Sequence, residues 1–447
     1  MPQALTVAAP QPTRPEPLRP EPLYAKLRPG PNGPGHEAIA SNQRSRLIGA
    51  MIGEVAERGY AAVTMTELCK LAGVSTRTPY QLFVSKQAYF LATYDAIVRN
   101  AVRRLGVAYR SEGDWQARLR AAFEAYAPEV VDEPKAAQLV LVEVLGAGPA
   151  AVARMQRTRL IFEQMVSASF SEAPDGVTLP LLIAKGIVCG VERITRQRLL
   201  AGDVEELPAL VDELLAWAFS YRSAPAASLA SVSPVRCDGR APCCRQVGLE
   251  CDRVRVVRAA ARIAATGGYA RLTPGQIVCE AGVSEETFDG LFESTEQCFL
   301  AALDRLGLEA LVCATRAFQS TEDGLAGMHR GIAALMRHIA TNPVLVQVAF
   351  VEIFALGPAG IRRRERLLGQ FTDQLMRGLP KSRAPSRLVA EASVGAIWGI
   401  VHSHVTRGAT HLLPGLADYA TYIVLAPVIG GEAAVQVILA CEEEPQS

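Results

Sequence analysis

The sequence predicts an all-α fold made of two consecutive copies of one helical unit, and three observations support this. Apolar residues recur three and four positions apart through most of the 447-residue chain, as on one face of a helix. No stretch alternates apolar and polar residues long enough to predict a strand. The landmarks of the first half return about 209 positions later in the second half.

Composition places the chain among soluble globular proteins of two or three domains. It has 46 basic against 45 acidic residues and 49% hydrophobic residues, so it is not uniformly charged for nucleic acid. The longest uncharged apolar stretches, such as 419–431, are shorter than the ~18–20 residues that span a bilayer. No basic-then-apolar leader is present, and ten cysteines without one favour reduced thiols. We expect a cytoplasmic protein with no membrane partner.

Residues 1–38 predict an extended or disordered arm, because ten prolines in this stretch prevent a helix. Arg14, Arg19, Lys26 and Arg28 are interspersed with acidic residues. Two interpretations stay open, a tail that reaches a DNA backbone or minor groove, and a spacer.

Residues 39–106 predict a compact head of three helices followed by a longer one. An apolar stripe predicts a helix over 40–58 that ends at Gly59, and two short helices over 66–72 and 75–83 are joined at Gly73. Thr66 and Ser75 are their expected caps. The polar residues left outward are those that a DNA major groove accepts. They are Thr76, Arg77, Thr78, Tyr80 and Gln81.

The rest of the chain predicts a helical bundle, a linker and a second head with its own bundle. A helix begins at Lys86, and further helices are predicted over 115–131, 135–145, 149–170, 179–201 and 204–222. The first bundle therefore covers 107–222 and the linker 223–251. The second head covers 252–318 and the second bundle 319–441.

An internal repeat underlies this division. Gly59-Tyr60-Ala61 returns as Gly268-Tyr269-Ala270, and Ala72-Gly73-Val74-Ser75 returns as Ala281-Gly282-Val283-Ser284. The spacing persists downstream, where Gly148-Pro149 matches Gly357-Pro358 and, after a three-residue shortening, Gly202 matches Gly408. The sequence therefore predicts a fused duplicate of one domain.

The two heads differ in charge where they should meet DNA. Residues 75–87 contain two basic and no acidic residues, whereas the matching 284–296 contain five acidic and no basic residues. Over wider windows, nine basic against four acidic residues give +5 for 43–104, and six against nine give −3 for 252–313. Since phosphate neutralisation supplies much of the affinity for DNA, we expect the second head to keep the fold without the contacts.

The pattern G-Y-x-x-x-T followed by A-G-V-S-x-x-T-x-Y-x-x-F-x-S-K resembles the DNA-binding head of the TetR (tetracycline-repressor-like) family of bacterial regulators. The resemblance is specific over 44–95 and weaker over 253–305. It implies an all-α regulatory domain that dimerises through its last two helices and holds an apolar effector between its middle helices. It implies phosphate contacts from Thr66, Tyr80 and Lys86 and base contacts from Thr76, Arg77 and Gln81. Leu82 and Pro79 depart from the family's usual residues.

The duplication leaves two assemblies open. The second copy could serve as the fused partner of the first, which makes a pseudo-dimer within one chain. Alternatively, two chains pair to present two first heads to a palindromic operator, since two-fold symmetry sets half-site spacing.

A few polar residues are candidates for other sites. Glu143 and Glu352 recur inside apolar runs, and a buried carboxylate needs a partner, for which Arg193 or Arg196 is a candidate. Glu143, Arg193, Glu352 and His402 are therefore the candidate polar residues of an effector pocket, with a purely structural role as the alternative. The linker cysteines Cys237, Cys243, Cys244 and Cys251 could hold zinc or sense redox state, although free thiols fit their spacing better.

The function predicted is that of a transcriptional regulator, expected to be a repressor, that binds operator DNA through the first head. A small apolar effector in the helical core would release it. No phosphate-binding loop, H-E-x-x-H or G-x-S-x-G motif is present, so we expect no enzyme and no cofactor. The alternative is a ligand-sensing or protein-interaction module that no longer binds DNA. Arg77, Tyr80 and Lys86 favour the regulator, because they have no evident folding role.

Overall fold

The computed structural model describes residues 36–110, 113–173, 179–223, 251–379 and 384–443, and every regular element in these ranges is helical. Residues 1–35 of the predicted arm and the linker residues Cys237, Cys243 and Cys244 lie outside the described residues, whereas residues 36–38, predicted to belong to the arm, form the start of the first helix. The chain divides into two compact units, residues 1–54 with 63–93 and residues 55–62 with 94–447.

The first compact unit contains most of α1 (His36–Arg58), then α2 (Met65–Ala72), α3 (Arg77–Leu82) and the start of α4 (Lys86–Tyr109). Its core is mostly apolar, and its largest fully buried side chains are Tyr89, Phe90, Leu47, Met51 and Leu68. The Tyr89 hydroxyl donates to the backbone oxygen of Leu47, and the Tyr89 ring stacks on Phe83 at 4.6 Å. These contacts fasten α4 against α1 and the end of α3.

Two predicted helix caps of this unit are wrong. Thr64 caps α2 instead of Thr66: its hydroxyl accepts from Glu67 N–H and the Glu67 carboxylate accepts from Thr64 N–H, which is a capping box. Ser75 does not cap α3, which begins only at Arg77. Pro79 has no N–H to donate to the Ser75 oxygen, so Thr78 N–H takes that oxygen in a tight turn at 3.0 Å.

The second compact unit holds the rest of the chain. Its helices after α4 are α5 (Trp115–Asp132), α6 (Pro134–Leu141), α7 (Pro149–Ser171), α8 (Leu181–Ala201), α9 (Val211–Phe219), α10 (Asp252–Gly267), α11 (Pro274–Ala281), α12 (Glu285–Leu291), α13 (Thr295–Phe318), α14 (Gly324–Thr341), α15 (Pro343–Phe350), α16 (Pro358–Gly378), α17 (Arg387–Thr406), α18 (Ala417–Ile429) and α19 (Gly431–Glu443). Short 3₁₀ segments follow several of them, at Glu143–Leu145, Val204–Leu210, Ser220–Ser223, Tyr269–Arg271, Glu352–Leu356 and Thr410–Leu416. The order of elements from α1 to α9 recurs from α10 to α18.

Helices α8 and α17 cross closely because small residues face each other. A Cβ on Gly186 would lie 3.3 Å from that of Ala396, and a Cβ on Gly190 would lie 2.8 Å from the backbone oxygen of Ala392. Gly186 matches Ala392 and Gly190 matches Ala396, each 206 positions later. Each glycine therefore contacts the counterpart of the other glycine.

The same exchange occurs one turn along this crossing. Gly395 faces Arg193, and Gly399 faces Cys189. Arg193 matches Gly399 and Cys189 matches Gly395, each 206 positions later, so these partners are exchanged as well. In an isologous contact, residue i of one partner meets residue j of the other and residue j meets residue i.

Two stretches are long and apolar enough to cross a membrane by length and composition, Arg387–Thr406 and Thr410–Ile429, and two bent helix pairs pass the same test together. In the two single stretches 78% and 61% of the window is buried inside the protein. The prediction from sequence considered only stretches without charged residues, whereas each of these two stretches contains at least one charged residue. Their apolar side chains are used in packing.

Candidate nucleic-acid interface and ligand cavity

The first head presents its predicted DNA-contacting residues on α3 and around it. The side chains of Thr66, Thr76, Arg77 and Gln81 are exposed, and Thr78 is half-buried against the Ser75 hydroxyl at 3.0 Å. The Tyr80 side chain lies outside the described part of the structure. A short helix with exposed hydroxyl, guanidinium and amide groups can donate to phosphates and base edges.

Lys86 has a structural role in addition to the predicted phosphate contact. Its Nζ donates to the Val63 backbone oxygen at 2.7 Å, which fixes the start of α4 to the loop before α2. Burial lowers the pKa of Lys86, and the nearby Glu67 carboxylate opposes that change. An ammonium group has three N–H donors, so this bond occupies only one of them.

The second head differs from the first in the start of its outward helix and carries the opposite charge outward. The Ser284 side chain caps α12 and accepts from Thr287 N–H at 3.1 Å. Phe288, which matches Pro79 of the first head, donates its N–H to the Ser284 backbone oxygen, whereas Pro79 has no N–H to donate to the Ser75 oxygen. Four carboxylates on or beside this helix are exposed: Glu285, Glu286, Asp289 and Glu293. Acids in a first helical turn stabilise the helix, so they support this fold while they repel phosphates.

Glu143 and Glu352 make equivalent contacts, but not the predicted ones. Glu143 Oε2 accepts from Tyr60 N–H at 3.0 Å, and Glu352 Oε2 accepts from Tyr269 N–H at 2.7 Å. Burial raises the pKa of the Glu143 carboxyl, and hydrogen bonds from Tyr60 N–H and Gln138 limit the rise. The predicted pairing of Glu143 with Arg193 or Arg196 is therefore wrong, because the carboxylate turns towards the chain after α1.

A cavity of about 180 Å³ lies within the second bundle and the adjoining part of α13. Its lining comes from α13 to α18, and almost all of it is aliphatic or aromatic. The polar groups in the lining are Thr315, Gln374 and Arg364. Neither Glu143 nor Glu352 lines this cavity.

His402 lies behind the cavity wall. Its ring stacks on Trp398, a lining residue, with centroids 4.7 Å apart. Burial, with the guanidiniums of Arg159 and Arg364 nearby, lowers the pKa of His402 well below its usual value. The imidazole is therefore neutral at pH 7 and supports the wall.

Arg193 lies in the α8–α17 crossing and not in the cavity lining. It is 1% exposed, and its Nη1 donates to the Glu391 backbone oxygen at 2.5 Å. It belongs to a buried charge cluster whose ion pairs lie within 4.0 Å. The members are Arg159, Glu192, Arg193, Arg196, Arg364 and Glu365.

Most of this buried charge cluster gives no signal in the sequence. Arg364 and Glu365 stand in the run RRRERLL, which has the composition of a solvated helix face. Arg159 and Glu192 stand in similarly charged runs, RMQRTR and VERITRQR, which also have the composition of a solvated helix face. As for metals, the described residues hold no group of three or more potential ligands, and Cys251, the one linker cysteine among them, is exposed.

Comparison with known proteins places the first head in a family. Residues 50–93 match the model of the bacterial regulatory proteins of the tetR family. The HTH-type transcriptional activator FasR of Mycolicibacterium smegmatis is 37% identical over 97 residues, which are 22% of this chain and 44% of that protein. The chain thus matches less than half the length of this curated relative.

Solved structures with partial likeness are also regulators. The fatty acid degradation regulator FadR from Bacillus halodurans shares 15% identity at a TM-score of 0.37, over 39% of this chain and 94% of that one. FadR from Bacillus subtilis in complex with stearoyl-CoA shares 16% at 0.36, over 38% and 95%. A TetR-like regulator from Rhodococcus sp. RHA1 shares 20% at 0.34, over 40% and 94%.

TM-scores and identities this low carry no argument, so the family assignment depends on the head. Residues 50–93 form a tetR-family N-terminal domain, and the matching relative is a transcriptional regulator and not an enzyme.

Proposed function

We propose that this chain is a cytoplasmic DNA-binding transcriptional regulator that contacts its operator through the first head alone. The observation that carries the proposal is the tetR-family match over residues 50–93 together with the exposed Thr76, Arg77 and Gln81 on and beside α3. Arg77 and Gln81 can make bidentate contacts with base edges, and Thr66, Tyr80 and Lys86 are the proposed phosphate donors.

The chain is proposed to be a fused duplicate whose two bundles form a pseudo-dimer. Three observations support this: the recurring element order, the matched hydrogen bonds of Glu143 and Glu352, and the exchanged partners in the α8–α17 crossing. Exchanged partners in the α8–α17 crossing are what a two-fold interface requires when both of its halves belong to one chain.

The second head is proposed to be silent towards DNA. Its exposed Glu286 and Asp289 stand where the first head has Arg77 and Tyr80. A single chain therefore offers one reading helix, and a palindromic operator would take two chains.

The effector is proposed to occupy the cavity of the second bundle, whose apolar lining suits an apolar molecule. Binding there would shift the chain towards a form with weaker DNA affinity, provided the ligand binds that form better. Repression remains a prediction. The relative from Mycolicibacterium smegmatis is an activator by name, and a reporter gene behind the operator decides the sign here.

The test is DNA binding by the full chain to a duplex selected from random sequence. Arg77→Ala should weaken binding about 5–150-fold, the usual cost of losing one base-contacting arginine. The matched Glu286→Ala in the second head should leave affinity within about twofold. Equal losses of DNA affinity in the two variants would contradict the proposal that the first head binds DNA and the second does not. A full chain without affinity for any duplex at low salt would favour the alternative, a ligand-sensing or protein-interaction module.

A further inference from the structure

The cavity of the second bundle contains a buried cation whose donors are not all used. Arg364 lines the cavity and is 3% exposed. Its Nη2 donates to Glu365 Oε1 at 2.5 Å, while its Nε and Nη1 are buried and find no hydrogen-bond partner among the described residues. The guanidinium carbon lies 4.6 Å from the Trp398 ring and 5.5 Å from the Phe354 ring. Buried donors without acceptors are rare in native proteins and point to an absent acceptor.

The charge around Arg364 is unbalanced in the same direction. In the buried charge cluster four guanidiniums face two carboxylates, an excess of two positive charges. Two further carboxylates border the cluster, and each also has a cation outside it: Glu163 lies near Arg159 and 3.9 Å from Lys185, and Glu391 lies near Arg193 and 3.1 Å from Arg387. Burial lowers the pKa of Arg364 to about 10, and Glu365 opposes that change, so the group is still charged at pH 7. Buried charge of one sign is costly unless a counter-charge meets it.

In the first bundle, charged and polar side chains occupy positions that match the cavity lining of the second bundle. Arg159 and Glu192 stand where the second bundle has Leu368 and Trp398 in the cavity lining, and they pair through Nε and Oε2 at 2.7 Å. Tyr126 stands where the second bundle has Leu335, and its hydroxyl bonds Thr195 Oγ1 at 3.0 Å. The position of Arg364 is held by Met155 in the first bundle.

We infer that the cavity is a binding site for an apolar molecule with one carboxylate, which accepts a hydrogen bond from one of the unused N–H donors of Arg364, and that each chain holds one such ligand. The apolar walls take the hydrocarbon part, and the carboxylate supplies a charged acceptor to the buried guanidinium. The inference rests on the proposed function only in identifying the site as the effector's.

Calorimetric titration of the full chain, without DNA, tests this with two probes of equal length, octanoate and 1-octanol. We expect one octanoate per chain and at least about tenfold tighter binding of octanoate than of 1-octanol, as one charge-assisted hydrogen bond provides. Arg364→Met, which installs the residue of the first bundle, should reduce the preference to less than about twofold. Arg363→Met is the matched control, because the half-buried Arg363 pairs with Asp304 at 2.9 Å and does not line the cavity, so the change should leave the preference intact.

Four results would overturn the inference: equal affinity of the two probes, two ligands per chain, a preference that survives Arg364→Met, or no octanoate binding at 1 mM, an order-of-magnitude ceiling for a weak site. If Arg364→Met does not fold by circular dichroism, Arg364→Gln takes its place. The wild-type comparison of the two probes stands in either case. The titration contains no DNA. If the chain failed to bind DNA, the proposed function would be refuted, but the octanoate result could still be interpreted.

Discussion

Replacing Gly190 with alanine tests how closely α8 and α17 approach each other. Gly190 lies in the middle of α8, and a Cβ there would lie 2.8 Å from the Ala392 backbone oxygen and would meet the Trp217 ring. Trp217 has no free space to move into, since it is 2% exposed and its Nε1–H donates to Ser393 Oγ at 3.2 Å. The new methyl group therefore meets two fixed groups.

The expected magnitude is a balance of two terms. Alanine is favoured over glycine inside a helix by about 0.8–1 kcal/mol. Overpacking a tight contact costs about 1–3 kcal/mol, and two immobile neighbours place this site in the upper part of that range. We therefore expect Gly190→Ala to lower the free energy of unfolding by about 1–2 kcal/mol.

Urea unfolding followed by far-ultraviolet circular dichroism measures this change, and Gly369→Ala is the matched control. Gly369 lies within α16, and a Cβ there meets nothing within 4 Å. That variant should gain about 0.5–1 kcal/mol from helix propensity alone. If Gly190→Ala were stabilised as much as Gly369→Ala, the close α8–α17 crossing would be refuted.

Three further predictions concern the charged groups. Glu365→Gln should lower the free energy of unfolding by about 3–5 kcal/mol at pH 7, because it leaves buried guanidiniums without a counter-charge, whereas the half-exposed Arg387→Gln should cost about 0–1 kcal/mol. Burial alone would raise the pKa of Glu365, but the guanidiniums of Arg364, Arg193 and Arg196 outweigh it and hold that pKa below its usual value. Its contribution is therefore present above the unfolded value of about 4.3 and is lost as the pH falls through the lowered folded value, so acid unfolding below about pH 4.3 should be steeper in the wild type than in Glu365→Gln. Glu143→Ala removes the acceptor of Tyr60 N–H, so it should cost about 1–3 kcal/mol and speed amide exchange at Tyr60, with Tyr269 as the unaffected reference; an unchanged Tyr60 rate would contradict the contact.

The sequence predicted the helices well where local signals decide them. Gly59 and Gly73 have positive φ of 81° and 59° and end their helices as expected, and α4 begins at Lys86 as predicted. The predicted helix over 204–222 was too regular, since Pro208 falls in a 3₁₀ segment and the α-helix begins only at Val211. A proline that removes one backbone donor explains this difference, as it explains the late start of α3.

The buried contacts could not be predicted, because they join residues that are distant in sequence. The partner of Glu143 is a backbone N–H 83 positions earlier, and no side-chain pattern announces a backbone donor. Arg364 and Arg193 meet the same Glu365 although 171 positions separate them. Their burial follows from how the two bundles pack, which a charged run such as 362–366 does not indicate.

Photo-crosslinking from two matched positions tests most directly whether the first head alone contacts DNA. A photoreactive side chain replaces Gln81 in one variant and Gly290, the position 209 residues later, in the other; both positions are exposed, and nothing lies within 4 Å of a Cβ on Gly290. On the selected operator duplex, position 81 should crosslink to DNA and position 290 should not. Crosslinking from position 290, or from neither position in a complex that still forms, would contradict the account.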